Sequence, residues 1–211
     1  MPGTPLFSAF YFGSVEHYAL IARHPRIIID TGEHYLRQSY RTRTGILGAN
    51  GMQQLQVHIA RQGGQKMPMH GVGLSYDEPW HARHLHAIRS AYGKTPWFIH
   101  FIGDIEAVLR RRHDRLVDLD LATLHMALGW LGMKTGVEVR ERYVEQEEVA
   151  ALDLLDLRTA LHPKKALPPA MPAVAPYTQV FADRHGFHGR LSIIDLVMNC
   201  GPEACRVLAR C

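Results

Sequence analysis

"PLFSAFYFGSVEHYALIARHPRIIID", residues 5–30, contains two short apolar runs separated by a stretch with helical character. The first run ends at Gly13, and the second, "RIIID", follows Pro25 and is rich in β-branched residues, so both predict buried strands. Ser14 is a suitable N-cap for the helix predicted over "VEHYALIARH". Strand, helix and strand in this order predict an α/β fold with a parallel sheet, joined by a right-handed crossover in a Rossmann-like start.

A β-hairpin and a helical middle region follow this start. Asn50-Gly51 lies between two alternating runs and predicts a hairpin inserted after the second strand. Three helices are predicted next, in "DEPWHARHLHAIRSAYG" (Asp77 as N-cap, Gly93 as its end), "PWFIHFIGDIEAVLRRR" and "DLATLHMALGWLGM". "GVEVRERYV" predicts a strand, whereas "EVAALDLLDLRTAL" fits a helix or an irregular segment. After residue 177 we expect a short strand and two helical stretches interrupted at Gly201-Pro202.

The composition indicates one domain, residues 1–211, of ordinary globular character. Hydrophobic residues make up 46% and charged residues 21%, and the net charge is +4 without a broad basic stripe, so we expect no nucleic-acid partner. No apolar run is long enough for membrane insertion, and the N-terminal residues predict no signal peptide. Three cysteines crowded near the C-terminus (Cys200, Cys205 and Cys211) do not form a disulfide framework and indicate a reduced, cytoplasmic protein. The Pro- and Ala-rich residues 163–176 predict a flexible loop.

Two arginines lie two positions apart on the first arm of the hairpin. Because strand side chains alternate with a period of two, Arg41 and Arg43 are predicted to share a face, with Gln38 and Tyr40 on the other. Paired guanidinium groups can hold a diphosphate, or a phosphate and a carboxylate. An exposed charged edge strand that resists aggregation is the alternative, and the residues alone leave both open.

Several histidines are candidates for acid–base chemistry or for packing. His17 is predicted one turn into the first helix, near the strand ends where α/β proteins bind ligands. His81 and His84 fall on one stripe of the helix that begins near Trp80, whereas His86 points elsewhere. His81 and His84 could bind a metal, but no third ligand follows at a recognisable spacing, so no metal is predicted.

The region 183–195 contains serine, histidine and aspartate residues, and its first interpretation is structural. Ser192 and Asp195 have the spacing of a capping box before an apolar run. The chain has no G-x-S-x-G turn, which argues against a serine hydrolase. It also lacks G-x-G-x-x-G and Walker motifs, and no cofactor is predicted.

Four blocks together resemble the WbqC-like protein family of bacteria. They are "YFGSVEHYALIARHPRIIID", "EHYLRQSYRTRTGILGANGMQQLQV", "EPWHARHLHAIRSAYGKTPWFIHF" and "YTQVFADRHGFHGRLSIIDLVMNCGPEA". The first family motif corresponds to Gln38, Arg41 and Arg43, with Thr42 where the family usually has asparagine. The resemblance further covers Trp80, His84, Ser90, Tyr92, Tyr177, Gln179, Phe181, Gly186, Ser192, Asp195, Asn199, Gly201 and Pro202. Cys200 stands where an acidic residue is expected.

The resemblance implies a transferase of O-antigen, that is lipopolysaccharide, biosynthesis that acts on a small-molecule substrate. The substrate would be a nucleotide-activated amino sugar, which receives an acyl or aminoacyl group from a donor. On this interpretation His17, His84 and Asp195 are catalytic candidates. The substrate-binding candidates are Gln38, Tyr40, Arg41, Arg43, Trp80, Tyr92, Gln179 and Asn199.

The alternative is a non-catalytic protein that binds an anionic ligand or serves as a scaffold. A buried cleft that joins the N-terminus of the first helix, the arginine hairpin and residues 177–199 would favour an enzyme. A shallow open face would favour a binding protein.

Overall fold

The computed structural model describes residues 3–60, 66–168, 171 and 173–210. The strands are β1 (Thr4–Phe7), β2 (Arg26–Asp30), β3 (Arg43–Gly48), β4 (Gly51–Gln56), β5 (Gly136–Arg140) and β6 (Leu154–Asp156). The helices are α1 (Val15–Ile21), α2 (Trp80–Tyr92), α3 (Phe98–Arg110), α4 (Leu116–Trp130), α5 (Gln146–Ala151), α6 (Ala182–His185), α7 (Ile193–Cys200) and α8 (Ala204–Ala209).

A four-stranded parallel sheet in the order β5-β2-β1-β6 forms the centre of the fold. The predicted strand-helix-strand start is confirmed, since α1 connects β1 to β2 and Leu6 pairs with Ile28. The segment left undecided contains both α5 and β6, which pairs with β1 at the edge. Apolar side chains of β1, α1, β2, α2, α4 and α7 form one continuous core. The α/β class is therefore confirmed.

The hairpin is confirmed, but the prediction for its arginines is wrong. Gly51 has a φ of 105°, which suits the glycine of the tight turn between β3 and β4. Strand β3 begins at Arg43, and Arg41 lies in the preceding turn, where Gln38 has a φ of 58°. Arg41 is 2% exposed, whereas Arg43 is half-buried. The period-two argument fails here because residues before 43 do not belong to the ladder, so the two arginines do not share an exposed face.

The three middle helices are confirmed, with one change at the start of α2. The helix begins at Trp80 after Pro79, and no side chain caps it. Asp77 is not the N-cap, because its carboxylate accepts a hydrogen bond from Ser75 Oγ at 2.8 Å. Gly93 ends the helix as predicted.

The C-terminal region is helical without the expected strand. Residues 177–180 form neither helix nor strand. Ser192 caps α7, since its Oγ accepts from the N–H of Ile194 at 3.3 Å, but the Asp195 carboxylate bonds elsewhere and completes no capping box. The break at Gly201 is confirmed: its φ is 53°, and a Cβ there would approach the Trp97 ring to 2.2 Å.

The Pro- and Ala-rich segment packs on the protein where it is described. Its described residues form no helix or strand, and Leu167 and Met171 contact the cluster of Phe10, Tyr40 and Leu161. Residues 169, 170 and 172 of the predicted loop lie outside the described residues, as does Cys211. Cys200 and Cys205 are free thiols. Across the described ranges, no helix has both the length and the apolar character needed to cross a membrane.

Candidate functional site

The carboxyl ends of β1 and β2 are occupied by charged side chains that pair with one another. Arg41 Nε lies 2.8 Å from Glu33 Oε1, and its Nη2 lies 2.7 Å from Oε2 of the same carboxylate. Arg158 Nη1 lies 2.6 Å from Asp30 Oδ2, and these two side chains are at most 5% exposed. Ligands of α/β proteins often bind at this edge. Here the charges compensate one another, so the Arg41 guanidinium is already engaged by a carboxylate.

A second buried network surrounds Asp195. Its Oδ1 accepts from the Tyr92 hydroxyl at 2.8 Å, and its Oδ2 accepts from the Tyr177 hydroxyl at 2.7 Å and from Gln179 Nε2 at 3.0 Å. Asn199 donates from its side chain to the Asp195 carbonyl at 2.8 Å. Burial raises the pKa of Asp195, and the three donors oppose that shift. This cluster joins α2, α7 and residues 177–179, and Asp195 itself is fully buried.

His17 lies inside the apolar core rather than on a cleft wall. Its ring centroid is 4.8 Å from that of Phe7 and 4.9 Å from that of Phe10, both edge-on. Within the described part of the chain neither ring nitrogen has a hydrogen-bond partner, and burial lowers the pKa of His17 to about 3. The ring is therefore neutral at pH 7.

Replacing His17 with phenylalanine should make the protein less sensitive to acid. A histidine pKa of about 3 in the folded state, against 6.5 when unfolded, means that the unfolded chain binds the extra proton between these values. The free energy of unfolding therefore has its full value above pH 6.5, where the ring is neutral in both states, and it decreases as the pH falls below that value. This loss amounts to about 2 kcal/mol between pH 6.5 and pH 5, at about 1.4 kcal/mol per unit.

Urea unfolding of wild type and His17→Phe at pH 7 and pH 5 measures this effect. The difference between the two pH values should shrink by about 2 kcal/mol in the variant. His86→Gln, at an exposed histidine of α2, provides the control for the removal of a histidine as such. If the free energy of unfolding of His17→Phe fell between pH 7 and pH 5 by as much as that of wild type, this would contradict a buried, neutral His17 ring.

One cleft lies beside the hairpin and has a volume of about 560 Å³. Its described lining includes two arginines and no carboxylate. Its walls are formed by Tyr35, Arg37, Gln38, Thr42, Arg43, Gln56, Val57, His58, Ile59 and Ala60. In the β3–β4 register Arg43 lies opposite Gln56, so both side chains share one face. The wall therefore offers cationic donors together with amide groups.

Arg43 also lines a second cleft, of about 250 Å³. Tyr40, Pro163, Gly189 and Arg190 contribute to this cleft. The Nε of Arg43 is buried and has no hydrogen-bond partner among the residues that the structure describes, while its Nη1 lies 3.4 Å from Gln54 Oε1. Arg43 thus connects the hairpin with residues 189–190.

A third cleft, of about 280 Å³, lies between β4 and α2. Its walls are Gln53, Gln54, Leu55, Gln56, His58, Glu78, Trp80, Arg83 and His84. Trp80 is 2% exposed and donates from Nε1 to the Ser75 carbonyl at 2.8 Å.

His84 Nδ1 lies 2.9 Å from the Tyr11 hydroxyl. Burial lowers the pKa of His84 to about 4, and a backbone hydrogen bond at Gln56 opposes that shift, so the ring is neutral at pH 7.

The predicted site residues therefore divide into two groups. Lining a cleft are Gln38, Tyr40, Arg43, Trp80 and His84. Buried in internal networks or in the core are His17, Arg41, Tyr92, Gln179 and Asp195, while the half-buried Asn199 bonds to the Asp195 carbonyl. The expected cleft is formed in part: the hairpin and residues 189–190 meet at Arg43, but the N-terminal turn of α1 is enclosed.

The cleft residues that sequence reasoning missed include Arg37, Gln56 and His58. A signal was present for two of them, because "QQLQVH" places Gln54, Gln56 and His58 at a spacing of two with buried Leu55 and Val57 between them. That alternation predicts one polar face. Arg37 precedes Gln38 in an exposed turn and carries no periodic signal.

No potential metal site appears among the described residues, which contain no group of three or more His, Cys, Asp or Glu side chains arranged to hold an ion. His81 and His84 gain no third ligand in this part of the chain.

The model of the WbqC-like protein family matches residues 10–171. This range includes all three clefts except the wall formed by residues 189–190, and it ends before the block at 177–202 that contains Asp195. The searches of curated proteins and of solved structures found no match.

Proposed function

Because this chain belongs to the WbqC-like protein family, we propose that it is a transferase of surface-polysaccharide (O-antigen) biosynthesis. It would pass an acyl or aminoacyl group to the amine of a nucleotide-activated sugar. The assignment to surface-polysaccharide biosynthesis rests on the family resemblance. The charge and size of the hairpin clefts support a nucleotide-activated sugar as the substrate class.

The 560 Å³ cleft would bind the nucleotide sugar. Its volume falls within the roughly 300–1,000 Å³ of small-molecule sites. Arg37 and Arg43 are suited to the diphosphate, since guanidinium groups bind phosphate oxygens in pairs of hydrogen bonds. Gln38 and Gln56 offer amide donors and acceptors for the base or the sugar, and Tyr35 offers a ring for stacking.

One observation carries the proposal most directly, namely the unpartnered Nε of Arg43. A buried polar group without a partner is uncommon in proteins and calls for an explanation. An anion bound between the two clefts that Arg43 lines would accept from this N–H. Arg41 has no such free donor at its Nε, because Glu33 accepts from it.

Replacing Arg43 with alanine should weaken the binding of UDP-glucosamine by about 10- to 100-fold, because charged hydrogen bonds contribute about 1.5–3 kcal/mol each. Isothermal titration calorimetry with UDP-glucosamine and with UDP measures the change. The control is Arg206→Ala, which removes an arginine that is 74% exposed on α8. If wild type bound UDP-glucosamine and Arg43→Ala bound it with the same affinity, Arg43 would be excluded from the site.

Binding of an anionic ligand without turnover is the second candidate. The enclosure of His17 and Asp195 favours it, because it leaves the clefts without two of the three catalytic candidates. A thermal-shift screen with nucleotide sugars, nucleotides, aminoacyl donors and divalent metals identifies the ligand class, since a ligand of the folded state raises the midpoint. Mass spectrometry then distinguishes the candidates: acylated UDP-glucosamine supports the transferase, and ligand binding without product supports the binding protein.

A further inference from the structure

His58 lies on the walls of two neighbouring clefts. It lines the 560 Å³ cleft together with Arg43 and the 280 Å³ cleft together with His84. Gln56 is the other residue that these two clefts share. A transferase needs two substrates to meet at one point, and His58 marks such a point.

We propose that His58 is the general base of the transfer, and that the 280 Å³ cleft binds the acyl end of an activated ester or thioester donor. This inference rests on the proposed function, because it places the amino sugar in the larger cleft. It adds a catalytic residue and a second substrate site.

The backbone around His58 is fixed by antiparallel contacts. The carbonyl of His58 accepts from the N–H of Ser75 at 2.9 Å, and Ile59 and Leu74 form a bridge beside it. The His58 side chain is half-buried. A general base must come within hydrogen-bond reach of the proton it removes, and a ring that lines both clefts on a fixed backbone is placed to approach substrates in either one.

His84 is less suited to this role than His58. Of these two clefts, His84 lines only the one of 280 Å³. Its Nδ1 is already hydrogen-bonded to the Tyr11 hydroxyl. Its ring also has a backbone hydrogen bond at Gln56. These contacts hold His84 against β4 and make it a positioning residue for the wall next to His58.

The 280 Å³ cleft has the size and polarity for a small acyl group. It lies just below the usual range for whole ligands, so it fits a fragment of the donor rather than a complete carrier. Gln54 and Gln56 offer amides for an acyl carbonyl. Glu78, paired with Arg83 at 2.5 Å on the rim, offers a carboxylate for an amino group when the donor is aminoacyl.

The proposed step balances without a further reactant. The sugar ammonium gives up one proton to solvent, and the resulting amine attacks the acyl carbonyl carbon while the imidazole of His58 takes a second proton from the same nitrogen. A carbon–nitrogen bond forms, and the bond from the carbonyl carbon to the ester oxygen or thioester sulfur breaks. The leaving group takes the proton back from His58, which restores the neutral ring.

The test compares wild type, His58→Gln and the exposed control His86→Gln with UDP-glucosamine as acceptor and p-nitrophenyl acetate as donor. His58→Gln should retain UDP-glucosamine binding by calorimetry. Its rate of N-acetyl product formation should fall by about 10²- to 10⁴-fold, the usual contribution of a general base. His86→Gln should match wild type. NMR signals of the His58 ring, assigned by their loss in His58→Gln, should move when UDP-glucosamine binds.

Each result bears on one proposal. Product formation by His58→Gln at the wild-type rate, or His58 signals that do not move while UDP-glucosamine is bound, would overturn the role of His58 and leave the proposed function standing. Failure of wild type to bind any nucleotide sugar would overturn the proposed function itself.

Discussion

Replacing Asp195 with alanine should lower the free energy of unfolding by about 3–5 kcal/mol, because two buried donors and one half-buried donor lose their acceptor and each orphaned buried group costs about 1–3 kcal/mol. The donors are the hydroxyls of Tyr92 and Tyr177 and the amide of Gln179. The Tyr92 hydroxyl also accepts from the N–H of Leu47 in β3, so the loss should extend to the hairpin. Urea unfolding followed by circular dichroism measures the change.

Two further variants distinguish the loss of the Asp195 hydrogen-bond network from the loss of a carboxylate group as such. Asp195→Asn keeps the shape and one acceptor oxygen, and it should cost less than the alanine variant. Asp183→Ala removes an exposed carboxylate from α6 and should leave stability nearly unchanged. If Asp195→Ala unfolded at the wild-type urea concentration, the network would not support the fold, and a functional role for Asp195 would regain force.

Breaking the ion pair between Arg41 and Glu33 should cost about 3–5 kcal/mol in either single variant, Arg41→Met or Glu33→Leu, because each leaves an unpaired buried charge. Both side chains are at most 6% exposed. The double variant should recover part of this loss, since replacing a whole buried pair with apolar groups is often close to neutral. Denaturant unfolding of the four proteins gives the coupling free energy.

The exposed pair of Arg206 and Glu203 provides the matched control, and its removal should change stability little. Single losses at Arg41 and Glu33 that simply add in the double variant would show that the two side chains do not act as a pair. Arg43→Ala should instead leave stability nearly unchanged and alter ligand binding. This contrast distinguishes the two neighbouring arginines.

Local signals in the sequence were sufficient for most of the fold. β-branched residues predicted β2, and Asn50-Gly51 predicted the hairpin, because these features depend on neighbours along the chain. β6 could not be chosen in advance. It has three residues, and its extended form depends on pairing with β1 about 150 positions away.

The candidate site was less predictable because it depends on partners that are distant in sequence. Arg158 and Asp30 are 128 residues apart, and Tyr92 and Asp195 are 103 residues apart. No spacing rule connects such residues. Arg41 and Arg43 are the same residue type two positions apart, and the sequence does not distinguish them. The turn at Gln38 buries Arg41 and leaves Arg43 beside the clefts.

The strand order β5-β2-β1-β6 has a consequence for how the protein is made. Of the four strands in this sheet, the two central ones are synthesised first, and their outer partners are β5, over 100 residues later, and β6, about 150 residues after β1. At about 5–20 residues per second, the ribosome needs roughly 8–30 s to produce β6 after β1. During this time β1 and β2 expose unpaired edges, which can pair with other chains. Nascent chains of this protein should therefore require protection by a chaperone until residue 156 has emerged.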